Sequence, residues 1–201
     1  MTKRVLLVGL LGGIAMFVWS SFAHMVLPLG ETGIKELPSE AAVLSTLYSQ
    51  IGGSPGLYFF PGMGLPPDAT RAQKNAAMQQ YGQKLAGNPS GLLLYHPPGA
   101  KAMEASQLIT EFLTELVEAL LVIFLLAQTT LTSFGARVGF VTIAGVLAAI
   151  TTNVPYWNWY KFPGNYTAAY MFMQIVGFLC VGIVAGLMMK GRTDKTPVAT
   201  A

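Results

Sequence analysis

Residues 107–128 read QLITEFLTELVEALLVIFLLAQ. A helix needs about 20 apolar residues to cross hydrocarbon, and this stretch supplies them. It also carries Glu111, Glu115 and Glu118, with no cation among them. Acids are costly in lipid, so those that persist face a protein interior, an aqueous cavity or the interface. A helix turns about 100° per residue; with Glu104 at zero, Glu111, Glu115 and Glu118 fall at about −20°, +20° and −40°. All four share one narrow arc.

Two readings of this stripe compete. In the first it is a polar track, with Glu118 deepest, that passes protons or a cation. The pair Glu115/Glu118 would then suit a hard metal ion. In the second the helix starts in water, and its membrane part is 116–134, about 19 residues, enough to cross. The length argument favours the second reading for Glu111 and Glu115 and leaves Glu118 to be explained. Glu118 is expected to face the bundle interior, with Asn153, Tyr156 or Gln174 as partners.

Three other apolar stretches lie around this one: 5–27, 138–154 and 168–189. Lys3 and Arg4 precede the first, Arg137 precedes the third, and Lys190, Arg192 and Lys195 follow the fourth. Four crossings put all these cations on one side, which the positive-inside rule makes cytoplasmic. Ser21-Phe22-Ala23 has the small-x-small form of a leader cleavage site. The apolar run continues through Leu27, so an uncleaved anchor is expected. The predicted organisation is a first transmembrane helix in 1–27, an extracytoplasmic cap in 28–106, helices two to four in 107–189 and a cytoplasmic tail in 190–201. The fold class is mainly α: a four-helix transmembrane bundle with a small α/β cap.

Composition agrees. Only 10% of the 201 residues are charged, against about 25% in soluble domains. The net charge of +3 comes from scattered residues, which gives no nucleic-acid signal. The single cysteine, Cys180, excludes intrachain disulfides and Cys-rich metal or iron–sulfur sites. The two histidines, His24 and His96, could not supply a multi-haem bundle, and each reads as a backbone hydrogen-bonding residue before it reads as a ligand. No cofactor and no metal site is expected. No nucleotide-binding, nucleophile-elbow or metalloprotease motif occurs, so no catalytic residue is assigned.

In the cap, Ser39 is placed as the N-cap of EAAVLSTLYSQI, with Val43, Leu44, Leu47 and Ile51 on one face. Asp68 is placed as the cap of a polar helix, ATRAQKNAAMQQYGQKLAG. Residues 57–60 and 92–95 sit in two runs of similar form, Gly-Leu then apolar residues then Pro, and are predicted to pair as strands. Either direction is allowed.

Val18-Trp19, His24-Met25-Val26-Leu27-Pro28-Leu29-Gly30, Leu37-Pro38-x-Glu40 and Gly56-Leu57-Tyr58-Phe59-Phe60-Pro61-Gly62 resemble an uncharacterised family of small bacterial four-helix inner-membrane proteins. The resemblance covers roughly the first 60 residues. It implies a bacterial inner membrane and four helices, and it carries over no activity and no functional residue.

Between the third and fourth apolar stretches lies an aromatic run, PYWNWYKFPGNY, at 155–166. Tyr156, Trp157, Trp159 and Tyr160 suit a headgroup belt, or a surface for a lipid, quinone or partner helix. Gly9-x-x-x-Gly13 and Gly182-x-x-x-Gly186 allow close helix approach, used for internal packing. The leading functional expectation is a non-catalytic accessory or assembly subunit packing against other membrane proteins, copies of itself or lipids. Its alternatives are an oligomeric ion, proton or small-molecule transport unit using the acidic stripe, and a membrane enzyme with His96 and the outer glutamates under the cap.

Overall fold

A computed structural model of the chain describes residues 3–189. Lys190, Arg192 and Lys195, and with them the predicted cytoplasmic tail, lie outside the described residues. The elements in order are α1 (Lys3–Met25), a 3-10 turn (Leu29–Glu31), α2 (Glu40–Ile51), β1 (Gly56–Phe60), α3 (Arg71–Gly87), β2 (Gly91–Tyr95), α4 (Ala105–Ala127), α5 (Phe134–Tyr160) and α6 (Gly164–Met188). They divide into two compact units: Met1–Ile34 with Met103–Ala201, and Lys35–Ala102.

The first unit is built from α1, α4, α5 and α6. Of these, α1, α5 and α6 are long and apolar enough to cross a membrane. Their large aliphatic side chains point outward: Val18 is 62% exposed, Ile143 70% and Leu187 74%. Small residues line the contacts instead, which is how helices pack when lipid is as apolar as leucine. Gly9 and Gly13 of α1 lie against Leu120 and Leu116 of α4. Gly182 of α6 meets Val138 and Val141 of α5, and Gly186 meets Phe134. Both glycine motifs therefore serve internal packing. The core joins Val8, Ala119, Val122, Ile123, Leu126, Val141, Phe178 and Val181.

One end of this unit carries arginines. Arg4 bonds the Met188 carbonyl through Nε at 2.8 Å and also through Nη2. Arg137, buried among the helices, donates to Leu131 O at 3.1 Å and to Met189 O. The C-terminal carbonyls of a helix lack intrahelical donors and carry partial negative charge, so both cations are well placed there.

The opposite end carries aromatics, and here the sequence reading needs correction. Residues 155–160 were expected in a connecting loop, but α5 continues through Pro155 to Tyr160. Proline removes one backbone donor, and the helix tolerates that near its end. Thr151, Thr152 and Asn153 bond back to the carbonyls four residues earlier. The helix stops where Lys161 turns left-handed, with φ 59.

The second unit holds one antiparallel two-stranded sheet, with Leu57 opposite Leu94 and Phe59 opposite Leu92. The predicted pairing is present. α2 matches its predicted span, although the Ser39 side chain makes no capping bond. α3 starts later than expected. Thr70, not Asp68, is its N-cap, in a capping box with Gln73. Tyr81 Oη donates to Pro61 O at 3.0 Å, and Tyr95 Oη to Gly52 O at 2.8 Å. Only Ala69 and Tyr95 are buried in this unit.

Candidate functional site

The acidic stripe of α4 lies partly inside the α1–α4 contact. Gly9, Gly13 and Ser20 recur at helical spacing on α1, which gives that helix a narrow face for α4. Close approach at Gly13 brings the backbone of α1 onto Leu116. The residue before Leu116 is Glu115, and it is buried, only 5% exposed. Its Oε2 has no hydrogen-bond partner among the described residues. The Ser20 hydroxyl acts on the Glu115 carboxyl, and it donates to the Phe17 carbonyl at 3.2 Å. Phe17 and Phe112 pack edge to face beside this site, with centroids 5.3 Å apart.

The other two acids differ. Glu111 is exposed. Glu118 is half-buried, and the partners expected for it are engaged elsewhere: Asn153 reaches Gln174 Oε1 at 3.4 Å, and Tyr156 packs on Tyr160 and Phe162. The residue that most needs an explanation is thus Glu115, which the length argument had assigned to water. Glu111 acts electrostatically on both Glu115 and Glu118, and also on Tyr170 of α6. Among the described residues, no group of three or more His, Cys, Asp or Glu side chains could hold a metal ion.

Next to the stripe, a run of rings crosses the aromatic end. His24, Tyr170, Tyr166, Phe162, Tyr156 and Tyr160 contact one another in that order, the closest pair being Tyr166 and Tyr170 at 4.3 Å. Tyr170 Oη donates to Gly30 O at 3.4 Å, which holds the 3-10 turn to α6. Trp157 and Trp159 stay on the surface, 50% and 76% exposed. His24 Nδ1 lies 2.9 Å from Ser20 O, a backbone bond. His96 is exposed and belongs to the other unit.

Sequence reasoning passed over Ser20, Trp19 and Tyr170. Ser20 carried a legible signal, since it lies seven residues beyond Gly13 and so on the same helix face. Trp19, whose Nε1 donates to Met173 O at 2.8 Å, entered only through the Val18-Trp19 resemblance.

No protein-family model matches this chain. No curated protein and no solved structure matches it either. The functional reading therefore rests on the geometry above.

Proposed function

We propose that the protein is a non-catalytic accessory or assembly subunit of the bacterial inner membrane, whose Lys35–Ala102 unit docks onto another membrane protein. The observation that carries this reading is the cross-strand pair Leu57 and Leu94. They face each other in register, and each is 66% exposed. Phe59, on the same face as Leu57, is 53% exposed. A two-stranded sheet is marginal in water by itself, and contiguous bare apolar surface marks an interaction site. The sheet has two strands, so one edge of each is free. Lipid cannot pair such an edge, whereas an added strand from a partner satisfies it and covers the leucines.

The arginines support the membrane placement. Arg4 at the start of α1 and Arg137 near the start of α5 both bond the C-terminal end of α6. With those three helix ends together, a return of the chain along α4 supports reading α4 as a fourth crossing. Its acids kept it from looking apolar. Lys3, Arg4 and Arg137 then make the arginine end cytoplasmic, and the Lys35–Ala102 unit is extracytoplasmic. The resemblance of the first 60 residues to small four-helix inner-membrane proteins points the same way. Tyr156, Trp157, Trp159 and Tyr160 form the outer headgroup belt.

A photo-crosslinking residue placed at Leu57 or Leu94 in living cells tests the docking. One discrete adduct to a different membrane protein is expected, with none from the control position Thr46 on α2. Adducts to lipid alone, to a second copy alone or to the protein's own bundle would overturn the reading.

A further inference from the structure

We propose that Glu115 is a proton-binding site that exchanges with the aromatic end of the bundle and is sealed from the arginine end. The inference goes beyond the docking role and stands independently of it.

The case begins with what surrounds the carboxyl. Glu115 is 5% exposed, and one of its oxygens has no partner among the described residues. An isolated ionised carboxylate is costly away from water unless a cation or several donors compensate it. The groups that act on Glu115 are Ser20 from α1, which is neutral, and Glu111 and Glu118 from its own helix, which are acids. Glu111 also acts on Tyr170 of α6, and α5 presents no charged group to Glu115 among those acting on it. Among the described residues no cation acts on Glu115, and the described acids do not gather into a metal site. A proton meets these conditions with one ligand atom. It neutralises the carboxyl, and the acid that results can both donate and accept with the Ser20 hydroxyl.

The route is one-sided. Glu111 lies one turn toward the aromatic end and is left uncovered by the other helices, so the stripe opens toward that end. Glu118 lies one turn the other way and is half-buried. Beyond it, residues 119–127 read ALLVIFLLA, with no polar side chain for about 13 Å of helix. Ala119, Val122, Ile123 and Leu126 of this stretch are buried in the core. The facing stretch of α1, residues 5–14, reads VLLVGLLGGI and is equally apolar. A proton can enter from the aromatic end and has no polar route onward. The arrangement is therefore a proton-sensitive contact between α1 and α4, not a conducting path. Ionisation would place an uncompensated charge beside the close contact of Gly13 and Leu116 and loosen it.

The test uses the full-length protein in sealed vesicles of known orientation, with the pH set separately on each side. A membrane-soluble carbodiimide modifies protonated carboxyl groups in apolar surroundings, and peptide mass spectrometry locates the adduct. Modification of Glu115 is expected at neutral pH. The Glu115 adduct should be lost as the pH on the aromatic side rises and should be unaffected by pH on the arginine side. The adduct should also be absent from Glu115→Gln. Three results would overturn the proposal: no adduct on Glu115 in the wild-type protein, an adduct that follows the arginine-side pH, or full protection by sodium or calcium at constant pH, which would make the site a cation site.

Discussion

The Arg137 guanidinium donates to the Met189 carbonyl, 52 residues away in sequence, and to the Leu131 carbonyl at 3.1 Å. One buried side chain thus ties the turn between α4 and α5 to the end of α6. Charge-assisted hydrogen bonds contribute about 1.5–3 kcal/mol each. Arg137→Gln should lower stability by about 2 kcal/mol on that basis, and Arg137→Lys should recover only part, because an ammonium lacks the planar fork. Arg4→Gln should cost less, since Arg4 is exposed. Thermal unfolding in detergent measures all three.

The glycine contacts make a second, sharper expectation. A Cβ added at Gly13 would lie 2.8 Å from Leu116 Cα, a backbone atom that cannot move aside alone. Gly13→Ala should therefore destabilise by about 1–3 kcal/mol, the usual range for overpacking. At Gly139 on α5, nothing lies within 4 Å of such a Cβ. Gly139→Ala should leave the melting temperature unchanged or raise it slightly.

The four-crossing topology has its own check. With Cys180 replaced by alanine, single cysteines at Thr130 and Lys161 should label from opposite sides. An impermeant thiol reagent on intact cells should reach Lys161→Cys and miss Thr130→Cys. Labelling of Thr130→Cys from outside would remove α4 as a crossing.

Trp19 offers a test of the α1–α6 contact. Its indole donates to Met173 O at 2.8 Å, and its ring meets Phe172 edge to face at 6.1 Å. Trp19→Phe keeps a ring and loses the donor. The expected loss is about 1 kcal/mol, the net worth of one neutral hydrogen bond, again read from thermal unfolding.

In the second unit, the Thr70 side chain accepts from Gln73 N at 3.3 Å, and Gln73 Oε1 accepts from Thr70 N at 2.8 Å. Thr70→Ala should cost about 1 kcal/mol of helix stability. Hydrogen exchange should show the loss in the first turn of α3, with α2 unchanged. Asp68→Ala should have no such effect.

Much of this architecture was legible in the chain. Apolar runs of membrane length, separated by cations and prolines, marked α1, α5 and α6, because hydrocarbon thickness sets helix length wherever such a helix lies. Short apolar runs between glycine and proline marked β1 and β2. The glycine pairs announced close packing. The extension of α5 through Pro155 was not legible, since one missing donor near a helix end is cheap when the chain beyond continues to favour helix.

The roles of the three glutamates divide along the same line. Helical periodicity alone places Glu111, Glu115 and Glu118 on one face of α4, since the turn per residue is a property of the backbone. Periodicity cannot say how far another helix covers that face. Only the packing of α1 decides it: Gly13 admits the α1 backbone onto Leu116, and Glu115 beside it is buried while Glu111, one turn away, stays in the open. Solvent access is a property of two surfaces meeting, and the sequence of one helix describes only its own.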